Sequence, residues 1–103
     1  VTCADAAEAG RIGDGLVEEG WAVCATHWPV RSCYRWQGEV IHAQEELLVV
    51  ASVIDHFAQV CSFIRARHSY EVPAITLHPL AATGPGYGPW LRSGVRAYPH
   101  PSP

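Results

Sequence analysis

Side chains alternate through Ser32, Cys33, Tyr34, Arg35 and Trp36, with both aromatic rings on one face and Cys33 and Arg35 on the other, the period-two signature of a strand. Gln37-Gly38 follows as a tight-turn pair and an extended run starts at Glu39, so the segment predicts a β-hairpin. The returning strand, 39–53, is polar in its first half and apolar in its second, which predicts that only the second half is fully covered. Upstream, 21–28 and 30–36 read as one strand with a bend or bulge at Pro29.

Two other stretches carry helical spacing. Ala9, Ile12, Gly13 and Leu16 follow Asp5, which with Glu8 three residues later resembles a capping box, so a helix is predicted over 6–19 with Gly20 as its stop. Gly10, Gly13 and Gly15 each cost roughly 1 kcal/mol relative to alanine inside a helix, so this one depends on packing. Phe57, Val60, Cys61 and Ile64 form a core stripe on a second helix, with Asp55 as its cap and Arg65 and Arg67 complementing the dipole at its end. Beyond Pro73, 74–78 reads as a short strand with Ile75 and Leu77 on one side, Gly84-Pro85-Gly86 as a turn and 87–95 as a short helical segment. The Pro-rich tail, 97–103, is expected to be disordered, leaving one domain over 1–96. Val1 already lies in a strand with no methionine before it, so the first strand is expected to be shortened by processing or truncation.

The order β-α-β-β-α-β plus a C-terminal helical segment predicts an α+β fold, the ferredoxin-like split βαβ sandwich with two helices on one face of an antiparallel sheet. The long central hairpin exceeds what two short helices cover, and its surplus presents a sheet edge that must be paired or shielded.

Composition narrows the function classes. At 103 residues the chain supports one modest core, and a hydrophobic share of 49% against 17% charged implies that further surface is buried between chains. Net charge is −3 and the cations, all arginine, are scattered, which argues against a nucleic-acid partner. The apolar run from Leu47 to Val53 is far shorter than the ~20 residues a bilayer span requires. No membrane role and a cytoplasmic location are therefore expected, since no signal-peptide pattern is present. The four cysteines, with no C-x-x-C unit, are expected to be reduced and mostly structural.

Cysteine and histidine are the ligands that copper and other soft or borderline divalent cations prefer. The six histidines, His27, His42, His56, His68, His78 and His100, contain no closely spaced metal pair, so any site must be assembled by folding or between subunits. An enzyme reading finds little: Asp5, Asp14 and Asp55 sit at helix starts or on exposed helix faces, and no cysteine–histidine signature is present. The expectation is a protein that is not an enzyme.

The hairpin, taken with Ala22-Val23-Cys24, Glu45-Glu46-Leu47-Leu48-Val49-Val50, His68-Ser69-Tyr70-Glu71-Val72-Pro73 and Tyr87-Gly88-Pro89-Trp90-Leu91, resembles the CutA family of divalent-cation tolerance proteins from Val1 to about Val95. The resemblance implies a homotrimer in which the hairpins join edge strands between subunits. It implies tolerance of copper or another divalent cation, by metal binding or metal response. It also suggests that Arg35, Trp36, Glu39, Glu46, His68, Tyr70 and Trp90 lie near inter-subunit clefts, and it makes Cys24 and His68 the candidate metal ligands, with Cys3 and Cys33 less typical of the family. Against each stands a plain structural role: Cys24 as a buried strand residue, His68 as a partner of the helix dipole, and the aromatics Trp36, Tyr70, Tyr87 and Trp90 as subunit packing. Three departures stand out: Pro29-Val30-Arg31-Ser32 is one residue shorter than the family pattern, Ser69 replaces a proline, and Val50-Ala51-Ser52 lacks the family's lysine. The alternative is a PII-like trimeric signalling or scaffolding protein that takes a metabolite or protein partner in its clefts, an analogy at the level of the fold.

Overall fold

The computed structural model describes residues 1–97. Its elements are β1 (Thr2–Cys3), α1 (Ala6–Glu18), β2 (Cys24–Trp36), β3 (Glu39–Ala51), a 3₁₀ turn (Ile54–His56), α2 (Phe57–Arg67) and α3 (Tyr87–Gly94). The sheet is antiparallel with order β1-β3-β2. The fold is α+β, as predicted. The anticipated tail, Tyr98 onward, lies outside the described residues.

The start of α1 follows its sequence signal. Asp5 Oδ1 accepts the Glu8 N–H at 2.8 Å, while Glu8 Oε1 accepts the Ala4 N–H at 3.0 Å, one residue earlier than in the usual capping box. The helix ends in a Schellman motif: the Gly20 N–H donates to Val17 O at 3.0 Å and the Trp21 N–H to Leu16 O at 2.9 Å. This motif draws residues 21–22 back toward α1, so β2 starts at Cys24 and not at Trp21 as the pattern suggests. The glycines inside α1 admit neighbours: a Cβ on Gly15 would lie 2.6 Å from Phe63 Cζ. Close approach of α2 thus offsets the helix propensity that glycine gives up.

β2 and β3 pair without interruption from Cys24↔Ala51 to Trp36↔Glu39, around a two-residue turn in which Gln37 (φ 51°) and Gly38 (φ 82°) are both left-handed. The bulge expected at Pro29 is absent. Leu48 exchanges backbone bonds with Val1 (2.8 and 3.0 Å), so even residues of β3 aim their backbone at β1 and odd residues at β2. Pro29, opposite Glu46, therefore occupies an outward position of an edge strand where no ladder N–H is needed.

Three further expectations change. Residues 74–78 form no strand; the Ile75 N–H turns back to Pro73 O at 3.0 Å instead of pairing with a neighbouring strand. Asp55 does not cap α2. It lies inside the 3₁₀ turn, and His56 holds the N-cap position without a side-chain capping bond. The buried stripe of α2 is Val60, Phe63 and Ile64, with Cys61 only partly covered.

The core gathers Cys3, Ala9, Ile12, Leu16, Ala22, Leu48, Val60, Phe63 and Ile64 on the helix side of the sheet. Alternation from Leu48 assigns Trp28, Tyr34 and Trp36 of β2 and Val49 of β3 to the opposite face. Among the described residues no helix covers that face, and only the 70–74 segment crosses part of it, at Glu45: Trp28 is 44% and Trp36 42% exposed. The hairpin beyond Pro29 projects past the helices as an arm, and the long axis of the protein measures 50 Å.

Candidate functional site

Two clusters meet where the arm leaves the body. The first is built by β1, α1 and the end of α2. Thr2 pairs with Leu47, whose backbone faces β2, so the Thr2 carbonyl points away from the sheet. His68, at the C-cap of α2, meets it: its Nδ1 accepts the Tyr70 N–H at 3.0 Å, which leaves Nε2 to donate to Thr2 O at 2.9 Å. Glu8 completes the knot, its Oε2 accepting the Ser69 N–H at 3.0 Å while Oε1 holds Ala4.

Cys3, Glu8 and His68 bring their ligand-type atoms within 4.8 Å of one another. The thiol and imidazole suit a soft cation, but the Glu8 oxygens and both His68 nitrogens are already engaged and the thiol is buried. The Cys3 thiol is sealed from solvent, and burial together with the Glu8 charge pushes it up to about 11. Burial would raise the Glu8 carboxyl, yet the N–H groups of Ala4 and Ser69 and the neighbouring His68 hold it below its ordinary value. The His68 side chain is fully enclosed with both nitrogens bonded. This arrangement joins three elements; cation binding would require breaking it.

The second cluster lies on the sheet face opposite the helices. A groove of about 670 Å³ runs between Ser32, Tyr34 and Trp36 of β2 and the 70–74 segment, with Glu45 in its wall. Tyr70 Oη donates to Glu45 Oε2 at 2.7 Å. Burial, then this bond and the Glu45 charge, raise the Tyr70 hydroxyl, so it remains a proton donor at neutral pH. Behind Tyr70 a smaller depression of about 400 Å³ is lined by Ser62, Arg65 and Glu71.

The structure brings only part of the sequence-derived set together. Trp36 and Tyr70 share the groove. Glu46 faces the other side of the sheet, buried, 2.7 Å from His27 Nδ1. Arg35 and Glu39 are exposed near the arm tip, and Trp90 stands on α3 against Tyr87 with ring centroids 5.7 Å apart. Cys24 is half-buried at the start of β2, 3.9 Å from Thr26 Oγ1, and is not part of the group around His68. Sequence reasoning passed over Glu45 and His27. The signal for Glu45 was present: an acid on the same face as Tyr34 and Trp36, opposite Val30.

The model of the CutA1 divalent ion tolerance protein family matches residues 1–94. The chain belongs to this family. It is 40% identical over 85 residues to the divalent-cation tolerance protein CutA of Thermus thermophilus, covering 82% of each chain. The solved structure of the Thermus CutA1 superposes with a TM-score of 0.89 at 38% identity, over 92% of this chain and 93% of that one. A structure of CutA from Archaeoglobus fulgidus, described as periplasmic, gives a TM-score of 0.89 at 29% identity over 92% of this chain and 93% of that one. As a CutA1 family member the chain keeps its divalent-cation tolerance assignment, and no helix among the described residues is long and apolar enough to cross a membrane.

Proposed function

We propose that the protein acts as a cytoplasmic homotrimer, without catalytic activity, that confers tolerance to copper or another divalent cation through sites formed where subunits meet. The observation that carries this reading is the sheet face opposite the helices: Trp28, Tyr34, Trp36 and Val49 are all exposed on it, beside a long unpaired edge, the kind of apolar patch that marks a partner surface. Covering that face with further copies would close the groove around Trp36, Tyr70 and Glu45 into a cleft. The absence of catalysis fits the local chemistry, since Tyr70 and Glu45 hold one another, His68 has both nitrogens engaged and Cys3 is enclosed. Direct coordination in this reading draws on more accessible thiols, Cys24 among them, with His68 taking part only once its bonds to Thr2 and Tyr70 give way.

The groove itself favours a second reading, a PII-like signalling or scaffolding trimer, because its aromatic walls and buried acid suit a small organic ligand or a peptide side chain. Native mass spectrometry of the reduced protein, with and without copper, separates the two. Trimers that take up copper stoichiometrically are expected; metal-free trimers shift the assignment to the second reading, and monomers overturn both.

A further inference from the structure

Beyond Pro29 and Glu46 the helix-side face of the arm is bare: Arg31, Cys33 and Arg35 of β2 and Val40, His42 and Gln44 of β3 are all exposed. Cys33 and His42 are direct cross-strand partners on this face. The hydrogen-bonded rungs of this ladder fall at even residues of β2, so Cys33 and His42 form a non-hydrogen-bonded pair, the kind whose side chains approach most closely, with Cβ atoms about 4.5–5.5 Å apart. Cys33 is a free thiol. From neighbouring Cβ atoms on one face, the Cys33 sulfur and an imidazole nitrogen of His42 can both reach outward and turn onto a single ion, through bonds of about 2.3 Å to sulfur and 2.0 Å to nitrogen.

We propose that Cys33 and His42 form a two-ligand site for a soft monovalent cation, Cu(I). Two considerations select the charge. Among the described residues no third cysteine, histidine or carboxylate joins this pair, and a two-coordinate linear S–N arrangement satisfies Cu(I), whereas zinc takes four ligands. Arg31 and Arg35 flank Cys33 on the same face; a thiolate neutralises a monovalent ion beside them, while a divalent ion leaves uncompensated positive charge there. On binding, the sulfur–copper bond forms as the thiol proton leaves to solvent, so affinity falls as pH falls. The left-handed turn at Gln37 and Gly38 and the unbroken ladder hold the pair in register before the ion arrives. The site deepens the cation-linked reading, on which its biological meaning rests, but it needs no second subunit.

The test is a Cu(I) competition titration of the reduced full-length protein against a chromophoric Cu(I) chelator, comparing wild type with Cys33→Ser, His42→Ala and Cys61→Ser. Both arm positions are exposed, so the variants keep the fold, which circular dichroism checks. Wild type and Cys61→Ser take up one equivalent that Cys33→Ser loses and that His42→Ala binds at least tenfold more weakly. Zn(II) at the same site binds at least tenfold more weakly than Cu(I). The imidazole NMR signals of His42 shift with Cu(I) in wild type and not in Cys33→Ser. Full uptake by both arm variants overturns the site while leaving a copper role elsewhere, at Cys24 for instance, intact. A wild type that binds no Cu(I) overturns the site and direct copper binding together, and the trimer mass remains a separate readout of assembly.

Discussion

The base of the protein and its arm hold similar side chains in opposite circumstances. At the base Cys3, Glu8 and His68 lie under α1 and α2, where the Glu8 oxygens and both His68 nitrogens serve backbone groups of the protein itself and the Cys3 thiol is buried. On the arm Cys33 and His42 stand in solvent on a strand pair whose backbone is satisfied by its own ladder. The difference teaches that ligand chemistry depends less on residue type than on what the local backbone already demands. A loop end that leaves N–H and carbonyl groups unpaired recruits nearby polar side chains; a regular ladder leaves them free.

Substitutions probe this contrast. Leu48→Ala, which empties a buried site at the base, is expected to cost about 2–5 kcal/mol, read from the denaturation midpoint. Glu8→Gln follows at roughly 1.5–3 kcal/mol, the range for hydrogen bonds to a charged group. Its pH signature is specific. The folded Glu8 carboxyl sits below its ordinary value, so its stabilisation is fully present above the unfolded carboxyl's pKa and is lost as pH falls through the lower folded value. The acid limb of the wild-type stability curve should flatten in Glu8→Gln, and an unchanged limb would show that the knot carries no charge-dependent stability. Gly38→Ala, forcing a left-handed alanine at the arm tip, is expected to cost about 1–2 kcal/mol. Arg35→Ala on the exposed arm should fall within about 0.5 kcal/mol, and a larger loss would mean that the arm is not free.

What the sequence revealed divides along the same line. The hairpin and α1 were legible because their signals are local: Gln37-Gly38 between alternating strands, Asp5 with Glu8, and Gly20 after the last turn. The Cys33–His42 register follows from the turn alone. Features set by distant neighbours were not legible. Nothing in 74–78 announces that the Ile75 N–H would turn back to Pro73 and not to a strand. Phe63 joins the core because Gly15 makes room for its ring, and Pro29 is accommodated because β2 ends the sheet. Asp55 looked like a cap until the 3₁₀ turn absorbed it. Of the candidate site, Trp36 and Tyr70 were legible as exposed-type aromatics, whereas their meeting in one groove, Glu45 and the engagement of both His68 nitrogens depended on where the 68–74 segment passes the β1 edge.

Pro29 has an effect at a larger scale than the chain. The outer border of β2 offers the backbone groups of its odd residues, Ala25 through Arg35, and the ring removes one donor from the middle of that row. A strand from another molecule can zip along the tip-side half or the base-side half, but not with equal ease across both. The proline thus acts as a registration mark: it permits pairing at a defined offset and opposes the sliding, open-ended sheet growth from which fibres arise.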